Sequence, residues 1–292
     1  MKIKNTITTS TIICGALCAW LLAGSAAQAQ NVFATGGNNI YEFTPGGTQS
    51  TFATVTPSGD GLAFGPNGNL YMAQVNNILQ VTPAGVQSTF ATGAGSATFL
   101  AFNSAGNLFQ SDHNGNIFEY TSAGVQSKFA TGLSMPQGLA FNSAGDLFVA
   151  GGNQSPYIYE YTPAGVQSTF TTQVNNPIGL AFSSAGILFE ADANSGNIYE
   201  FTTAGVRSTF ATGLSSLGGL AFNSAGDLFA ANGDTIDEFA PNGSESVFAT
   251  TSTGLAALAI QPVPEPSEFA LFGIGLAAGS VLLYEKKKAA RM

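Results

Sequence analysis

The sequence is short of cysteine, histidine and charge. Its two cysteines, Cys14 and Cys18, both lie near the N-terminus. If that segment is removed, no thiol remains. This excludes a disulfide, a thiolate metal site and a cysteine nucleophile. Ile13 and Leu17 precede the two cysteines, where a bacterial lipoprotein signal needs a small residue. His113 is the only histidine. A histidine-dependent mechanism would need it beside a base or an orienting partner. Asp112 is adjacent, but neighbours on a strand point to opposite faces. Basic residues are scarcer still. Lys and Arg total eight, and Lys2, Lys4, Lys286, Lys287, Lys288 and Arg291 sit at the two ends. Between residues 30 and 262 only Lys128 and Arg207 remain against fourteen Asp and Glu, so that stretch carries about −12. A body this acidic repels phosphate backbones, which argues against a nucleic-acid partner.

What is plentiful is glycine, with 36 copies, and phenylalanine, with 23. A disordered chain is charged and poor in aromatics, so this one should fold. Its 292 residues suffice for one large all-β domain.

The two ends read as addresses. Lys2 and Lys4 precede the apolar run IICGALCAWLLAG, and Ala27-Gln28-Ala29 is a small-x-small cleavage pattern. Residues 1–29 are therefore expected to be a secretory signal peptide cut after Ala29, with a retained anchor as the alternative. At the other end, residues 263–292 contain Val263-Pro264-Glu265-Pro266-Ser267, then the uncharged stretch Phe269 to Tyr284, then the basic cluster. The stretch is slightly shorter than the ~20 residues of an upright membrane helix, and terminal lysines can snorkel to cover the difference. A single transmembrane helix with a cytoplasmic basic tail is the expectation. This arrangement resembles the PEP-CTERM sorting signal. The resemblance implies transient anchoring in the inner membrane, processing by an exosortase-like enzyme near the Pro-Glu-Pro, and release to the cell surface or an exopolysaccharide or biofilm matrix.

Between the addresses, residues 30–262 repeat one motif. GLAF recurs at residues 61–64, 138–141, 179–182 and 219–222, with FLAF at 99–102 and ALAI at 257–260. Its last residues are Phe64, Phe102, Phe141, Phe182, Phe222 and Ile260. A second anchor, in STF-like segments, is Phe52, Phe90, Phe129, Phe170, Phe210 and Phe248. Both series advance by the same steps of 38, 39, 41, 40 and 38. Each unit divides into four short strands punctuated by turns such as Asn142-Gly145 and Thr162-Gly165. Four strands per ~40 residues is propeller spacing. The body starts with three strands of a unit and ends with one, as a ring closed by its own two ends requires. The expected fold is an all-β, six-bladed β-propeller of four-stranded blades with this 3+1 closure. A β-solenoid, the alternative, would want polar caps. Recurrent Phe in strands one, two and four should fill the space between blades.

The unit GLAFNSAGDLFVAGG at residues 138–152 resembles NHL-repeat and gluconolactonase-like propellers. Enzymes of the gluconolactonase-like kind hold a divalent metal on Glu, Asn and Asp around the central channel. Here the inner strands are Gly, Leu, Ala and Phe, so that ligand set maps onto no residue. The virginiamycin-lyase relatives depend on histidine and usually have seven blades, which fits poorly.

The loops after each second strand, and those leading into each first strand, share one face. Residues that break the repeat there are the site candidates: Asp60, Asp112, His113, Glu190, Asp192, Asn232 and Asp234. Their oxygens suit Ca²⁺, the cofactor these types would favour, although no EF-hand spacing is present. The alternative is a solvated acidic loop. A third-strand carboxylate also recurs, as Glu42, Glu119, Glu160, Glu200 and Glu238, with Gln80 in the odd unit. Such regularity points to a structural role at the wet outer edge, or to a ring of weak cation sites. Three functions follow: a non-enzymatic surface or matrix module that binds exopolysaccharide or a surface protein, a metal-dependent lactonase or hydrolase, or a purely structural spacer with no ligand.

Overall fold

The computed structural model describes residues 29–152 and 155–263. Ala27, Pro264, Glu265, Pro266, Ser267, the expected transmembrane helix and the basic tail lie outside the described residues. Ala29 and Val263 are at the two ends of the described chain. Among the described residues all regular structure is β, and no helix is long and apolar enough to cross a membrane.

The strands are β1 (Val32–Gly36), β2 (Asn39–Phe43), β3 (Gln49–Thr54), β4 (Gly59–Phe64), β5 (Leu70–Val81), β6 (Gln87–Phe102), β7 (Leu108–Asp112), β8 (Asn116–Tyr120) and β9 (Gln126–Ala130). They continue as β10 (Pro136–Phe141), β11 (Leu147–Gly151), β12 (Ile158–Tyr161), β13 (Gln167–Thr171), β14 (Pro177–Phe182), β15 (Leu188–Asp192) and β16 (Asn197–Phe201). The last are β17 (Arg207–Ala211), β18 (Leu217–Phe222), β19 (Leu228–Asn232), β20 (Thr235–Phe239), β21 (Glu245–Thr250) and β22 (Leu258–Ile260). Neighbours within every sheet are antiparallel.

The fold is a β-propeller, but the expected six separate four-stranded blades are not what forms. The strands make five sheets. Four have four strands, ordered β22-β1-β2-β3, β10-β11-β12-β13, β14-β15-β16-β17 and β18-β19-β20-β21. The fifth has six, β4 to β9 in order, and takes in both the second and the third repeat. The cause is local. Val75 pairs with Ser96, so the segment linking those repeats folds back onto the second repeat's own hairpin. Extended backbone then runs unbroken through β5 and β6. The N-terminal half of β6 pairs with β5 and its C-terminal half with β7. Asn76, at φ 65°, makes the sharp bend inside β5.

The inner segments β22, β4, the C-terminal part of β6, β10, β14 and β18 follow one another around the axis. The GLAF glycine explains how closely they approach. A Cβ on Gly61 would stand 2.4 Å from the Thr98 carbonyl oxygen, and one on Gly138 2.2 Å from that of Ile178. Only a residue without Cβ lets backbones meet this closely. The motif's leucine is buried, as Leu62, Leu100, Leu139, Leu180 and Leu220.

Its last residue joins an aromatic triad. Phe109 on the second strand is met edge-on by Phe129 at 5.1 Å and by Phe141 of the next repeat at 5.0 Å. The same triad recurs as Phe33/Phe52/Phe64, Tyr71/Phe90/Phe102, Phe148/Phe170/Phe182 and Phe189/Phe210/Phe222. Each edge-to-face pair contributes about 0.5–1.5 kcal/mol beyond area burial. Because every triad spans two repeats, these rings hold the units to one another. The 3+1 arrangement is present: Val32 pairs with Ile260, Phe33 with Ala259 and Ala34 with Leu258.

Candidate functional site

At the channel end where the second-to-third-strand hairpins lie, polar side chains are engaged by the fold itself. The Asp192 carboxylate is buried and accepts four backbone N–H groups: Asn175 at 2.8 Å, Asn176 at 3.3 Å, Asn194 at 3.1 Å and Ser195 at 2.9 Å. It thereby fastens the segment leading into β14 to the hairpin after β15. Asp112 does the same in the third repeat. It accepts from the backbone of Ser96 and Asn114 and from the side chains of Asn114 and Asn116. Asn232 accepts from Ser215 N at 2.9 Å and Ser216 N at 3.2 Å, and donates to Asp237 at 2.8 Å. Carboxylates holding this many N–H donors have few lone pairs left for a cation.

The remaining candidates are dispersed. His113 is exposed, and its Nε2 lies 3.2 Å from the Gln137 side-chain amide nitrogen; the Asp112 carboxylate is turned away into the loop. The side chains of Asp60 and Asp234 are exposed in different repeats, and their backbone carbonyls accept from Thr35 and Thr251. Among the described residues no group of three or more His, Cys, Asp or Glu gathers where a metal could be held.

Glu190 stands apart. It is fully buried, and neither carboxyl oxygen has a hydrogen-bond partner. Burial pushes its pKa well above the usual carboxylate range; Asp192 on the same strand adds to the rise, and Arg207 opposes it. Arg207 lies over the Tyr199 ring at 4.4 Å.

Three cavities lie at the opposite rim, among the first-to-second and third-to-fourth-strand turns, beside the recurrent third-strand glutamates. One of about 310 Å³ is lined by Phe109, Phe129, Phe141, Glu119 and Pro163. Another, of about 220 Å³, is lined by Phe229, Phe248, Glu238 and Pro45. A third, of only about 40 Å³, is lined by Phe33, Phe52, Phe64, Glu42 and Pro83. All three occupy the same place in the repeat. Each has an aromatic floor and the third-strand glutamate of one unit, closed by the turn proline of the next. The recurrent glutamates and the Thr-Pro turns were the available signal. Glu119 accepts from the Asn107 side chain at 2.8 Å. Burial, with Asp227 nearby, raises the Glu238 pKa. Burial and Asp146 do the same for Glu160.

No protein-family model and no curated protein matches the sequence. Solved structures do match. The chain is similar to a chain of the nidogen/laminin complex, at 17% identity and TM-score 0.73, covering 80% of this chain and 98% of that one. It is similar to a gluconolactonase of Xanthomonas campestris, at 14% identity and TM-score 0.66, covering 80% and 88%. It is also similar to virginiamycin B lyase of Staphylococcus aureus, at 15% identity and TM-score 0.58, covering 79% and 87%. Likeness at such low identity shows the fold alone, a β-propeller, and leaves function to the site.

Proposed function

We propose that this chain is an exported, non-enzymatic binding propeller, handled by an exosortase-like enzyme and resident at the cell surface or in an exopolysaccharide or biofilm matrix. The observation that carries the reading is the saturation of Asp112, Asp192 and Asn232 by the fold's own N–H groups. These three residues fasten loops together, and His113, Asp60 and Asp234 stand apart from one another. The export signals at the two ends supply the address. In the nidogen/laminin structure, a similar chain belongs to a complex between two proteins. The test is turnover of a panel of aliphatic lactones by the purified chain, with and without Ca²⁺ or Zn²⁺, beside its retention on matrix polysaccharide. Retention without turnover is expected. Metal-dependent turnover sinks the reading.

The second reading is a metal-dependent lactonase, or a related hydrolase or lyase. Its support is the likeness in fold to a gluconolactonase and to virginiamycin B lyase. In that case a cation such as Ca²⁺ would have to displace N–H donors from Asp112 or Asp192. Metal uptake seen by mass spectrometry under native conditions would favour it.

A further inference from the structure

Resting on the binding-propeller reading, we propose that the inter-unit cavities walled by Glu119 and by Glu238 are equivalent subsites for pyranose residues of a neutral polysaccharide.

The chemistry comes from two kinds of surface that each cavity presents together. Phe129 and Phe141, or Phe248, offer half-buried ring surface. A pyranose presents a C–H face that packs on such rings and a rim of hydroxyl donors. A carboxylate is an acceptor with up to about four lone-pair sites. The Asn107 amide takes one at Glu119, which leaves others for sugar hydroxyls. The larger cavity, about 310 Å³, meets the lower limit of about 300 Å³ usual for ligand pockets, and the smaller, about 220 Å³, falls below it and suits a single ring. The third cavity, of about 40 Å³, is too small for a ring and holds water at most.

Charge narrows the ligand further. A glutamate in the wall and a body of about −12 disfavour phosphate, sulfate and uronate groups. Lys128 also lines the larger cavity, with its ammonium 6.0 Å from the Phe118 ring centre, so the bias against anions is strongest at the smaller one, where Asp227 stands beside Glu238 and no cation lines the wall. A lipid chain would leave the glutamate without a partner. The two cavities lie three repeats apart around the ring, so each is a separate subsite.

The test is affinity electrophoresis of the purified full chain through gels containing dextran, alginate or chitosan. Retardation by dextran is expected. Glu119→Gln and Glu238→Gln each weaken it only in part, and together by about three- to ten-fold, as both subsites are lost. Gln80 holds this position in the second repeat, so the substitutions are compatible with the fold. Unchanged melting temperatures verify that. Pro163→Ser, which copies Ser122 of the third repeat, weakens binding on its own. Dextran retardation that survives all three changes overturns the site while the binding reading stands. So does loss of retardation on His113→Ala, at the opposite rim. Retardation by alginate or chitosan alone overturns the ligand class. No retardation by any of the three overturns the subsites and removes polysaccharide from the binding reading as well.

Discussion

One pair of positions, on the second and third strands, is matched in one repeat and mismatched in two others. In the third repeat Tyr120 donates to Gln110 at 2.5 Å, and Gln110 donates to the Ala94 carbonyl at 2.6 Å. In the fourth, Val149 stands where Gln110 does, and the Tyr161 hydroxyl is buried without a partner. In the fifth, Phe201 stands where Tyr120 does, and both Glu190 oxygens are orphaned. Burial pushes the pKa of Tyr120 and of Tyr161 to about 12. A buried group left unpaired costs about 1–3 kcal/mol, whereas removing it can be neutral or stabilising. Tyr161→Phe is therefore expected to hold or raise stability in urea denaturation, Tyr120→Phe to lower it by about 1–3 kcal/mol, and Phe201→Tyr to raise it by about 1 kcal/mol. Equal effects of the first two would show that the repeats do not differ in this way. Glu190 also sets a pH dependence. Its folded pKa lies above the unfolded value of about 4.3, so its contribution is complete below that pH and is lost as pH rises through the folded value. Glu160 and Glu238 shift in the same direction while keeping contact with solvent. The melting temperature should fall as pH rises above the unfolded value of about 4.3, and Glu190→Gln should flatten the fall. An identical slope in the variant would remove Glu190 as its cause.

At the scale of the element, two glycines in neighbouring repeats have different work. Gly138 faces the backbone of β14, with no room for a methyl group. Gly186 sits at φ +77° in a turn, with open space for 4 Å around the point a Cβ would occupy. Gly138→Ala should cost about 3 kcal/mol or more, at the upper end of overpacking, because the obstacle is main chain. Gly186→Ala should cost only about 1–2 kcal/mol of left-handed strain. Phe109→Ala, which empties the centre of a triad, should cost about 3–5 kcal/mol. Thermal melting of the three orders them, and a smaller loss for Gly138→Ala than for Gly186→Ala would overturn the close-approach account. The GLAF spacing made the inner strands, and the Phe spacing made the triads, readable from sequence. Both follow from contacts that every repeat shares. The fusion of two repeats into one six-stranded sheet was not readable, because it depends on the pairing of Val75 with Ser96, a contact that no local pattern encodes. The candidate site was half readable. The symmetry-breaking residues Asp112, Asp192 and Asn232 stood out, but their hydrogen bonds come from their own hairpins and from the segments leading into the same sheets, whose backbone N–H groups carry no sequence signal.

For the whole molecule, the decisive contact joins residues more than two hundred positions apart. Thr35 N donates to Ala257 O at 3.1 Å, and Ala257 N donates to the Thr35 hydroxyl at 3.1 Å. Gln261 N donates to Asn31 O at 2.9 Å. Gln30 closes the seam from outside, donating to Gln261 O at 2.5 Å and accepting from Ser224 N at 2.6 Å. Phe248 of the last repeat reaches Phe43 of the first at 6.5 Å. Without β22, the inner edge of β1 would be unpaired, and the faces that Ala257, Leu258 and Ala259 now cover would meet water. A chain ending at Gly254 should therefore melt roughly 10 °C or more below one ending at Gln261 and lose its single sharp transition. The chain ending at Gln261 should melt like the full-length protein, since every contact of the seam is still present. Gln30→Ala tests the outer latch alone and should cost about 1 kcal/mol, because two hydrogen bonds go while the ladder stays. Equal melting of the two truncated chains would mean that the ring is held by its inter-unit aromatic triads and not by its closing strand.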